Sequence, residues 1–217
     1  MSDSRALFNL PRRLKVIALG EGRLPSETFK VKGDYSLLVG VLMKKLSLLK
    51  VSWRFIEVDG LDGTNKAIEI IEELSPADLI LQGSVACAGF NLIDPLSINE
   101  KLKVPVIVIL REKPDNQAVY QALTKHFKDW KERWRVFEDV AKKAPIIEAQ
   151  LGEGGPVYVE IVGMPEAEGV STIKSLVKVG RVPEPLRVAE AIAKGISRSL
   201  YSLLKLRAGN IYPEHSN

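Results

Sequence analysis

One cysteine in 217 residues, Cys87, excludes an intrachain disulfide and a thiolate zinc cluster. Flanked by Ala86 and Ala88, it reads as a buried thiol rather than a nucleophile. Histidine is almost as scarce, with only His126 and His215. Neither sits beside a nucleophile candidate, which argues against Ser-His or Cys-His catalysis. No apolar run approaches the roughly 20 residues that span a bilayer, and the amino terminus has no signal-like apolar stretch. A cytoplasmic location with no membrane partner is therefore expected. Gly20 and Gly22 form no phosphate loop, because the Lys-Ser/Thr ending of that motif is missing.

What is present is ordinary for a globular α/β chain, with 46% hydrophobic and 27% charged residues. The length suits one sizeable core, so residues 13–217 are expected to form a single domain behind a loose polar arm, residues 1–12. The net charge of +4 is unevenly spread. Residues 1–57 carry 11 Lys/Arg against 5 Asp/Glu and residues 170–217 carry 8 against 3, whereas residues 58–169 carry 12 against 19. If the two ends meet in the fold, they make a basic face suited to phosphate backbones; otherwise the charge is simply solvated.

Apolar runs predict strands at Leu14–Leu19, Ser36–Met43 and Val51–Val58. Gly20 to Asp34, with Gly20, Gly22, Pro25 and Gly33, reads as a long loop. Ala67, Ile68, Ile70, Ile71 and Leu74 have helical spacing and predict a helix over Thr64–Leu74. Further strands are expected at Asp78–Leu81, Val104–Leu110 and Val157–Val162, the first two being continuous runs of the kind buried in parallel sheets. Helices are expected at Ile93–Leu102, Asp115–Lys143, Val170–Val179 and from Pro183 to about Leu206. Three leading strands followed by alternating helices and strands predict an α/β fold with a mixed central sheet flanked by helices.

Basic residues from Lys125 to Arg135 alternate with Phe127, Trp130 and Trp134, a pattern able to stack single-stranded bases. Their three- and four-residue spacing fits a core-facing helical stripe better. The apolar Leu200, Tyr201, Leu203, Leu204 and Leu206 either pack on the first strands or offer a surface to a protein partner or a second copy.

Four segments share an order and spacing: Val58-Asp59-Gly60-Leu61-Asp62-Gly63-Thr64; Leu81-Gln82-Gly83-Ser84-Val85 running into Gly89-Phe90-Asn91-Leu92-Ile93-Asp94; Pro105-Val106-Ile107-Val108-Ile109; and Val182-Pro183-Glu184-Pro185-Leu186-Arg187-Val188-Ala189-Glu190. Together they resemble the archaeal family catalogued as domain of unknown function number 99, also labelled endonuclease dU, which is similar to endonuclease V. The resemblance covers roughly residues 14–198. It implies a ribonuclease H-like fold, a nucleic-acid partner, and a site in which carboxylates hold Mg²⁺ or Mn²⁺.

Against the family's usual motifs, three positions differ. Gly20 stands where an Asp is usual, Gln82 stands where a metal-binding Asp is usual, and Glu190 replaces a His. Amide oxygen is a poorer Mg²⁺ ligand than carboxylate, and a carboxylate cannot reproduce imidazole as a proton carrier near neutral pH. Glu21, Asp62 and Glu190 remain as candidate catalytic and metal-holding groups of a rebuilt site. Asp59 and Asp62 also suit a structural role, shaping the turn and capping the helix that follows. Arg23, Arg181 and Arg187 are candidate phosphate contacts, although Arg187 and Glu190 are spaced for a simple ion pair.

The leading expectation is a nucleic-acid-binding protein with a degraded metal site and weak or absent cleavage, requiring no cofactor. An active Mg²⁺- or Mn²⁺-dependent endonuclease on deoxyuridine- or deoxyinosine-containing nucleic acid is the alternative. A non-catalytic interaction or structural subunit is a third.

Overall fold

In the computed structural model, residues 14–22 and 34–211 are described, with side chains to residue 200. The expected arm at 1–12, Arg23, and the apolar end of the last helix from Tyr201 onward lie outside the described residues or side chains.

A seven-stranded mixed sheet organises the chain in the order β3-β2-β1-β4-β7-β9-β8. Strands β1 (Lys15–Gly22), β2 (Tyr35–Lys44) and β3 (Ser47–Glu57) form an antiparallel meander. The β2–β3 turn is made by Lys45 and Leu46, and Lys45 takes φ +56°. Helix α1 (Gly63–Leu74) then crosses to β4 (Leu79–Gln82), which runs parallel to β1. A two-residue hairpin, β5 (Ala86–Cys87) with β6 (Asn91–Leu92), precedes α2 (Pro95–Leu102) and β7 (Val106–Leu110), which is parallel to β4. Helices α3 (Asn116–His126) and α4 (Trp130–Lys143) lead to β8 (Ile147–Ala149) and β9 (Val157–Val162), an antiparallel edge. Helices α5 (Glu166–Ser175) and α6 (Glu184–Ile211) finish the described chain.

Strand alternation places a core on each face of the sheet. Val16 and Ala18 of β1 pack with Leu186, Ala189 and Ala193 of α6, whereas Ile17 and Leu19 pack with Ile68, Ile70 and Ile71 of α1. Both sets are almost fully buried, which is why β1, β4 and β7 read as continuous apolar runs. Each such Ile or Leu contributes roughly 1.5–3 kcal/mol by leaving water. Among the described residues no helix is long and apolar enough to cross a membrane.

The expected mixed α/β architecture is found, with four local corrections. The helix expected over Asp115–Lys143 is two helices, because Phe127 is extended (φ −124°, ψ 130°). That turn lays the Phe127 ring against Phe90 and beneath the Arg133 guanidinium, so tertiary contacts override helix propensity. The helix expected at Val170–Val179 begins earlier, at Glu166, behind Pro165 and with two acids in its first turn. Gly169 is the point where α5 approaches the Ile161 side chain. Finally, β1 continues through Gly20 and Gly22 rather than ending before them, and β3 begins four residues before Val51.

Candidate functional site

The carboxyl ends of the parallel strands β1, β4 and β7 lie side by side, since Leu19 pairs with Gln82 and Gln82 with Val108. Above them a cavity of about 580 Å³ opens against α6. Its apolar wall includes Leu19, Leu38, Cys87 and Ile93, and its polar groups include Glu21, Gln82, Ser84, Arg111, Glu190 and Lys194. The structure therefore brings Gly20, Glu21, Gln82 and Glu190 into one lining, while Asp62 is not part of it.

Gly20 is held by packing. A Cβ there would meet the backbone of Ala189 and Glu190 at 2.5 Å, and one on Gly22 would collide with the Ser197 hydroxyl. Gly20 and Gly22 thus form a flat seam on β1 into which Ala189, Ala193 and Ser197, spaced four apart on α6, settle closely.

Gln82 is 1% exposed and donates its amide NH₂ to the carbonyls of Ser84 and Ile93, at 3.0 and 2.9 Å. A carboxylate would face two carbonyl oxygens there, so the neutral amide fits where an acid would be repelled. Its Oε1 is buried without a hydrogen-bond partner, and Gln82 is one of the residues lining the cavity.

Glu190 has been drawn into an ion pair. Its carboxylate accepts from Arg111 Nη2 at 2.5 Å and lies 3.9 Å from Lys194 Nζ. Glu21 accepts from the Ala88 amide at 2.9 Å, and Ser36 Oγ lies 3.4 Å from it. The acid thereby holds the hairpin loop where Ala88 takes φ +43°. Burial pushes the Cys87 thiol well up, aided by the charges of Glu21 and Asp62, which makes it inert as a nucleophile.

The Asp59–Thr64 motif is a structural joint. Asp62 stands at the amino-terminal cap of α1 but makes no side-chain cap bond. Instead its Oδ1 accepts from Asn91 Nδ2 at 2.6 Å and from the Glu57 amide at 3.2 Å. Asn91, fully buried, also donates to Glu57 O and accepts from the amides of Gly63 and Leu92. Asp59 accepts from the Phe90 amide at 2.9 Å. Arg133, 4% exposed, donates to the carbonyls of Asp59, Gly60 and Phe90 and pairs with Asp129. The basic-aromatic segment therefore packs inward through Arg133. Trp130, Trp134 and Phe137 sit half-buried around or beside Tyr120.

The remaining candidates have local partners. Arg187 forks onto Glu184 at 2.8 and 2.9 Å, not onto Glu190, and holds the Glu184 carboxyl below its usual range. Arg181 reaches Glu112 and the Pro156 carbonyl, both at 2.8 Å. Arg111 and Lys194 went unnoticed in the sequence. A charged residue immediately after a buried parallel strand was the available signal for Arg111.

Among the described residues no three His, Cys, Asp or Glu side chains are placed to hold a metal ion together. Of the acids expected to share one, Glu190 is bound by Arg111, and Asp62 is turned to Asn91. As placed among the described residues, the acids at the strand ends form no ready-made carboxylate cluster for a divalent cation.

A family model described as endonuclease dU matches residues 12–197. The chain belongs to the endonuclease dU family. A relative described as UPF0215 protein, from Thermococcus sibiricus, is 34% identical over 187 residues, which are 85% of this chain and 92% of the relative. A protein of unknown function from Archaeoglobus fulgidus superposes with a TM-score of 0.71 at 21% identity, covering 85% of this chain and 98% of its own. Endonuclease V from Ciona intestinalis, solved with a 23mer DNA containing an inosine, superposes at 0.58 with 7% identity, covering 88% of each chain. The endonuclease dU chain thus has the ribonuclease H-like fold of endonuclease V.

Proposed function

We propose that this endonuclease dU homologue binds nucleic acid through phosphate contacts at the strand-end cavity and cleaves it weakly or not at all. The observation that carries this reading is the Arg111–Glu190–Lys194 cluster, set where the fold's parallel strand ends converge. Two cations supply fixed positive charge there, and Glu190 occupies them as an internal anion. An incoming phosphate exchanges with that carboxylate, because the Arg111 fork matches phosphate as well as carboxylate. Gln82 and Gly20 support the same reading, since the first is spent on loop carbonyls and the second lies under α6. The kinship with endonuclease V, one member of which was solved on inosine-containing DNA, supports nucleic acid as the source of the phosphate.

The test is binding and nicking of labelled DNA and RNA, plain or carrying deoxyuridine, deoxyinosine or inosine, with Mg²⁺, Mn²⁺ or chelator. Binding is expected to persist in chelator and to fall with salt. Arg111→Ala should weaken it and lower the salt slope by about 1, whereas Glu190→Ala should tighten it by freeing both cations. Metal-dependent nicking that vanishes in Glu190→Ala would overturn this reading in favour of an active endonuclease. In that case Glu21, Asp62 and Glu190 would be rearranged around Mg²⁺ or Mn²⁺. Loss of all binding would leave an interaction subunit.

A further inference from the structure

The outermost strand of the sheet, β3, carries an apolar row that nothing in the described chain covers. Val51, Trp53 and Phe55 are 40%, 44% and 47% exposed, whereas their neighbours across the ladder, Val41, Val39 and Leu37, are at most 1% exposed. The same apolar sheet face therefore passes from buried to open within one strand spacing. Tyr35, Leu46, Leu48 and Leu49 extend it, each about half exposed. Seven such side chains present on the order of 600 Å², at the top of the range for the largest patch on an ordinary monomer. Sheet edges are normally kept short, charged or covered, and this one has eleven residues with an aromatic centre.

The backbone of the same row points outward, where among the described residues its groups meet side chains rather than a strand. The Glu57 amide donates to Asp62 rather than to β2, and the Trp53 carbonyl accepts from the Arg54 side chain. In an antiparallel strand the amide and carbonyl of one residue point the same way. The peptide groups of Val51, Trp53 and Phe55 consequently face away from the sheet, and a strand pairing at Trp53 displaces the Arg54 guanidinium from its carbonyl.

We infer that two copies of this chain pair antiparallel through β3, about a two-fold axis at Trp53, to make one continuous sheet. This register sets Trp53 opposite Trp53 and Val51 opposite Phe55, so each exposed apolar residue of the row meets an apolar partner. It also uses only the regular part of β3, beyond the irregularity opposite Leu42 and Met43. On the other face it sets Ser52 opposite the second copy's Arg54. Within one chain Glu73 already accepts from both of these side chains, at 2.7 and 3.0 Å, so the crossing brings donors to an acid rather than like charges together. A second copy is favoured over an unrelated partner because both the apolar row and the outward peptide groups are self-complementary about one residue. Across the seam these facing pairs cover the outward flanks of Val51, Trp53 and Phe55, and cross-strand contacts of this kind are the unit of sheet stabilisation.

Sedimentation at micromolar to tens-of-micromolar concentration tests the pairing, together with two sets of variants. Wild type is expected at twice the mass of the chain, and Val51→Lys/Phe55→Lys at the monomer mass with an unchanged circular-dichroism spectrum. Trp53→Cys should give a covalent dimer on oxidation, because paired Cα atoms at the axis lie about 5.5 Å apart. Val51→Cys should not, since its two copies sit roughly 13 Å apart along the strands. A monomeric wild type, a dimer that survives the lysine pair, or cross-linking through Val51→Cys but not Trp53→Cys would overturn the inference.

Discussion

Gly20 of β1 lies against the backbone of Ala189 in α6, so that a Cβ on Gly20 would stand 2.5 Å from the Ala189 carbonyl carbon. The helix thus occupies the space that an acidic side chain at this position would need. Gly20→Asp should therefore fail to rebuild a metal site. It should destabilise the fold by at least ~3 kcal/mol, since helix backbone must shift and a carboxylate enters a packed seam. Chemical denaturation, with Mn²⁺ binding followed by calorimetry, checks both parts. Tight Mn²⁺ binding by a stably folded variant would show the seam to be pliable.

Gln82 makes a second prediction through its two carbonyl acceptors. Gln82→Glu keeps the shape but removes both N–H donors, leaving the Ser84 and Ile93 carbonyls facing a carboxylate. The expected loss is about 3 kcal/mol at pH 8. Burial beside carbonyls raises the folded carboxyl above its unfolded value, so the variant's stability should fall as pH rises and recover partly at pH 5. Urea melts at the two pH values measure it, and equal losses at both would contradict it.

The sheet and its helices were legible because β1, β4 and β7 are buried on both faces and α1 is apolar on one, patterns that periodicity reports directly. The site was legible only as a set of changed residues. Gly20 looked like a deletion of chemistry until α6 was seen to occupy its side-chain space. Asp62 looked available to a cation, yet the group that engages it, Asn91, lies 29 residues away and carries no local signal. Arg111 and Glu190 are 79 residues apart, so their pairing depends wholly on topology. Two-residue strands such as β5 and β6 are too short to show a period, and Phe127 breaks a helix for contacts made elsewhere.

Arg133 joins α4 to the Asp59–Gly60 turn and the Phe90 loop, both of which flank the cavity-lining hairpin. Lysine cannot reach three carbonyls and an aspartate with one ammonium. Arg133→Lys should therefore cost on the order of 3 kcal/mol, and Arg133→Met more, because Asp129 and the carbonyls lose their donor. Amide exchange resolves the mechanism. Protection should drop around residues 59–63 and 88–92 before it drops in β1 or β4, and a uniform loss would argue against a local joint.

Glu160 supplies a pH dependence whose sign is fixed by its surroundings. It lies on β9 opposite Val108, whose side chain packs with Val85, Leu92 and Val140, and one of its oxygens is buried without a partner. Burial alone pushes its carboxyl from 4.5 up to about 7. Below pH 4.5 the group is neutral in both folded and unfolded chains and has no effect on stability. Between 4.5 and about 7 the unfolded chain releases the proton while the folded chain keeps it, so stability falls with rising pH. The slope is about 1.4 kcal/mol per unit, and the full loss above pH 7 is on the order of 3 kcal/mol. Glu160→Gln removes the titration. It should be more stable than wild type at pH 8, by up to that amount, and should differ little at pH 4.5. Denaturation midpoints across this range decide the matter, and a wild-type-minus-variant difference that stays flat with pH would place the Glu160 carboxyl in contact with water.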